Sequence, residues 1–141
     1  MLELPMLSAA LGAFLLLLQQ LLMLTVGLHR VKAGIVVGQG DDENLERKIR
    51  RHGNLAENAA LFLAALTLTE MSRAPREVIL GFAAFFAVAR VSHAIGFSHL
   101  DGSHNAGGNR LFVMARVFGA MGSAFGGIAL ALYLTYWITT Y

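Results

Sequence analysis

The sequence predicts an all-α integral membrane protein, a bundle of four transmembrane helices formed by a single domain of 141 residues. Hydrophobic residues make up 56% of the chain and charged residues only 14%, a balance far from that of a soluble domain. Four windows also approach the roughly 20 apolar residues that a helix needs to cross about 30 Å of hydrocarbon. Composition and window length therefore indicate the same fold class.

The predicted spans are 5–28, 54–70, 78–97 and 111–138. The first contains LGAFLLLLQQLLMLTVGL; it lacks a basic n-region and exceeds an h-region in length, so we expect a retained span and not a signal peptide. The second continues the polar helical run DDENLERKIRRHGN, and Asp41, Asp42 or Asn44 is the expected helix cap. A short turn separates the second span from the third, and a Gly- and Asn-rich loop precedes the fourth.

The distribution of Lys and Arg predicts the orientation. The first loop with the following helix start carries six such residues, and the second loop carries only Arg73 and Arg76. Short loops rich in Lys and Arg remain in the cytoplasm, so loops 29–46 and 98–110 are predicted to be cytoplasmic and both termini outside. A bacterial inner membrane is the expected location.

Several classes of function are excluded or disfavoured by composition. A net charge of +2, with its cations beside apolar segments, argues against nucleic-acid binding. The absence of cysteine means that any thiol chemistry must use a thiol brought by a substrate. His93, His99 and His104 lack a thiolate partner or an HExxH pattern, so we predict no metal site.

Polar residues recur on one face of the helix that enters the second span. Steps of three and four residues place Arg47, Arg50, Asn54 and Glu57 on a single stripe. The arginines could be topology signals with Glu57 as their ion-pair partner. A carboxylate followed at once by apolar turns nevertheless needs a partner, which favours a ligand site.

The third and fourth spans add further polar groups. Arg90 and His93 share a face with Phe97 a turn beyond, and Arg116 lies about two turns inside the fourth span from Arg110. Arginine at mid-span costs roughly 2.5–3.5 kcal/mol on insertion scales, so these side chains should face a polar interior or an interface. We therefore predict a shared site for an anionic ligand, held by guanidinium contacts.

The segments ERKIRRHGNLAEN and RVSHAIGF resemble the MAPEG family, membrane-associated proteins in eicosanoid and glutathione metabolism. The family pattern in the first segment is met by Arg50, His52, Asn54 and Glu57, with Arg47 one turn earlier, and Arg90 and His93 meet that of the second. The resemblance implies a homotrimer that binds glutathione between neighbouring subunits, through Arg47, Arg50, His52, Asn54, Glu57, Arg90, His93 and Phe97. It further implies that Arg116 or Arg110 lies near the glutathione sulfur.

Three departures from the family pattern point toward bacterial members similar to microsomal glutathione transferases. Ala60 and Leu61 stand where a Pro is usual, Phe97 stands where several members have Tyr, and Gly53 stands where some have Arg. The eicosanoid-producing members are therefore poor guides to the substrate.

The expected activity is that of a glutathione transferase or glutathione-dependent peroxidase. An arginine near the sulfur favours the thiolate, which attacks a lipophilic electrophile or hydroperoxide that enters from membrane lipid between the first and fourth spans. The alternatives are a non-catalytic protein that binds glutathione or lipid, and a purely structural membrane protein.

Overall fold

A computed structural model describes residues 4–100 and 109–140, which form four α-helices. They are α1 (Met6–Ala33), α2 (Glu43–Met71), α3 (Arg76–Gly96) and α4 (Arg110–Thr140). The predicted four-helix architecture is confirmed. The helices overlap the predicted spans, and α2 begins at Glu43, well before the predicted start of its span at residue 54. Most of the predicted loop 98–110, including His104, lies outside the described residues.

Three of the helices, α1, α3 and α4, are long and apolar enough to cross a membrane. Much of their large apolar surface is exposed, as expected for helices that face lipid and not water. The other helix, α2, is charged in its first half and carries no charged residue from Asn58 to Thr69. The predicted second span lies within α2, and its crossing of the bilayer stays a prediction.

The helices pack as two close pairs, α1 with α2 and α3 with α4, which meet in a shared apolar core. Phe62 of α2 and Phe86 of α3 stack at the centre with ring centroids 3.7 Å apart. The α3–α4 pair comes close enough for backbone contact because Gly96 and Gly119 lack a Cβ. This close approach fixes where the polar residues of α3 and α4 lie.

Side chains at the two ends of α2 contact the two ends of α1. At the start of α2, Asp42 accepts a hydrogen bond from the Leu45 N–H at 2.9 Å, which identifies it as the cap among the predicted candidates. Its other oxygen contacts Nε2 of His29 at 2.7 Å. At the far end, Glu70 accepts the backbone N–H groups of Leu7 and Ser8 at 2.9 and 2.8 Å, satisfying donors at the N-terminus of α1.

Candidate functional site

The charged half of α2 and the end of α3 enclose an open cleft of about 500 Å³. Five of the residues predicted from the sequence line it: Arg47, Arg50, Asn54, Glu57 and Phe97. The helical stripe on α2 and the position of Phe97 at the end of α3 account for this convergence. These five residues therefore line one cavity and are not scattered over unrelated faces.

Arg47 forms the inner wall of the cleft and joins two helices. Its guanidinium donates to the carbonyl oxygen of Phe97 through Nη1 and to Oδ1 of Asn44 at 3.3 Å through Nη2. The side chain is buried, and this burial lowers the pKa of Arg47 from its usual value. Within the described part of the chain, its Nε is buried and has no hydrogen-bond partner.

Arg90 supports the cleft from behind. It is only 2% exposed, and its guanidinium donates to Oδ1 of Asn54 at 2.8 Å and to the carbonyl oxygen of Gly119 at 2.5 Å. Because Oδ1 of Asn54 accepts from Arg90, the amide NH₂ of Asn54 is the group left to donate elsewhere. The structure therefore places Arg90 as a positioning residue that orients Asn54, and not in the lining of the cleft.

His93 and Arg116 lie on the other side of Phe97. The His93 ring packs on the Phe97 ring with centroids 4.9 Å apart, and the Arg116 guanidinium carbon lies 5.5 Å from the Phe97 centroid. These three residues line a second, smaller pocket of about 320 Å³ between α3 and α4. Phe97 is thus the wall shared by the polar cleft and this pocket.

The backbone of α3 fixes Arg116 tightly, whereas Arg110 is exposed. A Cβ built on Gly96 would lie 2.5 Å from the backbone nitrogen of Arg116, so glycine permits this approach. Arg110 is the first residue of α4 and faces outward. Of the two arginines predicted to lie near a thiol, Arg116 contacts Phe97, which lines the cleft.

Arg50 and Glu57 occupy the open side of the cleft, and both are exposed. Among residues 4–100 and 109–140, no Lys or Arg side chain forms a salt bridge with a carboxylate, so Glu57 is not paired with an arginine there. Glu57 therefore does not act as the ion-pair partner of Arg47 or Arg50, the simpler explanation considered from the sequence. Its carboxylate is available to a ligand in the cleft.

His52 lies apart from this cluster, although it belongs to the same sequence motif. Its Nε2 accepts a hydrogen bond at 2.7 Å from the side-chain amide of Gln19 in α1. Residues two positions apart on a helix point about 200° from each other, so His52 and Arg50 must face opposite directions. Helical geometry alone could have separated His52 from Arg50, Asn54 and Glu57.

The region that the structure describes contains no cluster of three His, Asp or Glu side chains that could hold a metal ion. His93 is buried against Phe97, and His99 stacks on Phe112 with ring centroids 5.7 Å apart. The third histidine considered as a ligand, His104, lies outside the described residues.

Two comparisons with known proteins bear on the family of the chain. A search of curated proteins found no match to the chain. The family model of the MAPEG family, by contrast, matches residues 8–136, a range that contains every predicted site residue. Four helices, three of them apolar enough to span a membrane, fit the four-helix membrane bundle of that family. The chain is an integral membrane protein and belongs to the MAPEG family.

Proposed function

We propose that this protein is a glutathione-dependent membrane enzyme that transfers the glutathione thiolate to a lipophilic electrophile or uses it to reduce a hydroperoxide. Membership of the MAPEG family supports a glutathione-related function. The observation that carries the proposal is one cleft lined by two guanidinium groups, an amide and two carboxylates, those of Glu46 and Glu57.

The polar groups of the cleft match those of glutathione, which carries two carboxylates and one ammonium group. The exposed Arg50 can form a two-point contact with a carboxylate, and the amide NH₂ of Asn54 is already oriented by Arg90. Glu57 supplies the opposite charge that an ammonium group requires. Arg47 adds a second positive charge to the lining of the cleft. These residues bind and orient the tripeptide.

The thiolate needs a nearby positive charge, and Arg116 is better placed than Arg110 to provide it. A guanidinium close to a thiol favours the ionised form and thus lowers the pKa of the thiol. Arg116 lies against Phe97 at the edge of the cleft, whereas Arg110 is exposed at the start of α4. The sulfur would then lie near Phe97, and Arg116 would be the catalytic residue.

The lipophilic acceptor would approach through apolar surface beside Phe97. The smaller pocket there is bounded by Val117, Ala120 and Met121 of α4, and Val117 and Met121 are exposed to the surroundings of the bundle. Within one subunit α1 and α4 make no extensive contact. A path for the substrate between the first and fourth spans would therefore have to lie between α1 of one subunit and α4 of its neighbour. An apolar substrate dissolved in lipid could reach the sulfur by either route.

The proposal includes a homotrimer in which each cleft is closed by the next subunit. The cleft of a single subunit is open, and Leu61, one turn beyond Glu57, is 80% exposed. Because His52 faces away from its own cleft, it can contact glutathione only in the cleft of a neighbour. The site is proposed to face the cytoplasm of a bacterial inner membrane, with both chain termini on the opposite side.

Ultraviolet difference spectroscopy with added glutathione tests the proposal. The wild-type protein in detergent should show thiolate absorbance and should conjugate a chloronitrobenzene acceptor. Arg116→Ala should lose both signals while retaining glutathione binding, and Arg110→Ala is the matched control that should keep them. Binding without any thiolate signal in the wild type would reduce the protein to a non-catalytic glutathione-binding protein. Absence of binding would overturn the proposal entirely.

A further inference from the structure

Another groove lies between the end of α1 and the start of α2, next to the face of α2 that packs on α1. It measures about 630 Å³ and is lined by Thr25, Leu28, His29, Lys32, Ala33 and Lys48. None of these residues lines the glutathione cleft. The groove thus combines two lysines with apolar walls at a separate place in the molecule.

A hydrogen-bonded chain holds one of the lysines in position. The Lys48 ammonium donates to Nδ1 of His29 at 2.7 Å, so the ring proton resides on Nε2, which donates to Asp42 at 2.7 Å. Asp42 also caps α2 through its other oxygen. This chain uses one proton of the Lys48 ammonium and leaves two that can be donated into the groove.

Positive charge exceeds negative charge around the groove. Behind Thr25, the guanidinium of Arg51 donates to the threonine hydroxyl at 3.2 Å, and its buried Nε has no partner within the described ranges. Burial lowers the pKa of Lys48, and the neighbouring charges of Arg47 and Arg51 lower it further. Asp42, the nearest carboxylate, already accepts two hydrogen bonds. An anion in the groove would relieve this repulsion.

The apolar surface beside the groove belongs to the end of a membrane-spanning helix. Leu28 lines the groove and is 71% exposed, and Leu24, one turn deeper in α1, is 54% exposed. Arg30 and Lys32 mark the end of α1, where the apolar segment stops. Apolar side chains therefore lead directly from the lipid-facing surface to the lysines. That is the order in which a phospholipid presents its acyl chains and its phosphate.

We propose that this groove binds the phosphate of an anionic phospholipid from the surrounding leaflet. Lys48 and Lys32 contact the phosphate, and an acyl chain lies along Leu28 and Leu24. Basic pockets between membrane helices at the headgroup level have this charge and depth. A free phosphate ion shares the headgroup chemistry but would gain nothing from the apolar wall, which is why the lipid is the occupant.

Native mass spectrometry of the purified full-length protein tests the proposal. The protein is released from mixed micelles that contain equal amounts of phosphatidylglycerol and phosphatidylcholine. The wild type should retain phosphatidylglycerol preferentially, and Lys32→Gln combined with Lys48→Gln should weaken that retention about tenfold or more, because each lysine near an anionic headgroup adds to the attraction. Arg73→Gln combined with Arg76→Gln removes the same charge at the junction of α2 and α3, at the opposite end of the bundle, and should leave retention unchanged.

A single variant tests whether misfolding, and not the loss of a lysine, reduces lipid retention. Lys32 is exposed and is not part of the His29–Asp42 chain, so Lys32→Glu should keep the helical circular dichroism of the wild type while reducing phosphatidylglycerol retention. Equal retention of the two lipids by the wild type, or equal loss in the control pair, would overturn the proposal. So would displacement of the lipid by millimolar inorganic phosphate, which would identify a site for the free ion.

Glutathione binding by the same samples serves as an independent measurement. The groove and the cleft have no lining residue in common, so the lysine variants should bind glutathione as the wild type does. A failure of lipid selectivity would therefore leave the proposed enzyme untouched, and a failure of glutathione binding would leave the lipid site untouched.

Discussion

The first half of α2 has two polar faces that differ in what their side chains contact. On the α1 face, Lys48, Arg51 and His52 each form a hydrogen bond with a side chain of α1. On the cleft face, Arg50 and Glu57 are exposed. The comparison shows that charges within a few turns of one helix can have different roles. Paired groups hold the helices together, and groups left at an open cavity remain available to a ligand.

The cleft face depends on a third set of polar groups that are buried. Arg47 and Arg90 direct their guanidinium groups to the carbonyl oxygens of Phe97 and Gly119, which ties α2 to α3 and α3 to α4. A buried cation without such acceptors would be strongly destabilising. The buried arginines therefore hold together the helices whose residues line the cleft.

The largest loss of stability is expected from a substitution that separates α3 from α4, because their contact supports the cleft. A Cβ at Gly119 would lie 2.5 Å from the backbone nitrogen of His93, so Gly119→Ala must separate α3 from α4 and displace the carbonyl that binds Arg90. Overpacking of this kind destabilises by about 1–3 kcal/mol or more, which thermal unfolding in detergent would detect. Gly127→Ala is the matched control, since a Cβ added at Gly127 would meet no atom within 4 Å. Equal stability of the two variants would refute the close packing.

A large effect on binding alone is expected on the cleft face. Arg50→Ala and Glu57→Gln each remove a charged hydrogen-bonding group worth about 1.5–3 kcal/mol, so glutathione affinity should fall roughly 10- to 150-fold by calorimetry. Because both residues are exposed, the unfolding temperature should stay near that of the wild type. Lys48→Gln should do the reverse, lowering stability by about 1 kcal/mol without changing glutathione affinity. If all three variants changed glutathione affinity and unfolding temperature in the same way, the two faces of α2 would not have different roles.

A smaller effect tests whether His52 acts in the cleft of a neighbour. Arg50→Ala and His52→Ala subunits, each defective alone, are produced together so that mixed trimers form. Random assembly leaves about a quarter of the sites with both residues intact if the two come from adjacent subunits of a cyclic trimer. Partial recovery of glutathione binding is therefore expected. No recovery would mean that both residues act within one subunit or that the trimer is absent.

The smallest expected effect is a change in stability at low pH, caused by Asp42 on the α1 face of α2. The hydrogen bond from His29, followed by that from the Leu45 N–H, holds the pKa of Asp42 below its usual value of 3.8. A depressed pKa in the folded state adds stability that is present above pH 3.8 and is lost as the pH falls through the lower value. Asp42→Asn should therefore unfold earlier than the wild type at pH 7, and the difference should shrink at pH 3. A difference independent of pH would show that the carboxylate charge contributes nothing.

Much of the candidate site could be predicted from the sequence because helical spacing is a local property. The stripe of Arg47, Arg50, Asn54 and Glu57 follows from steps of three and four residues, and all four line the cleft. The same geometry places His52 on the opposite side of α2, although the family motif groups it with Arg50, Asn54 and Glu57. Arg90 could be recognised as needing a polar partner, but the identity of that partner could not be read from its own helix.

The sequence by itself determined the number of helices, the membrane as their surroundings and the polar stripe on α2, because hydrophobicity and periodicity are set by neighbours along the chain. The tertiary structure decided that Arg90 orients Asn54, that Phe97 separates two cavities and that Glu70 binds the start of α1. Each of these contacts joins residues far apart in sequence. Their partners depend on which helices pack together and how closely their glycines allow them to approach.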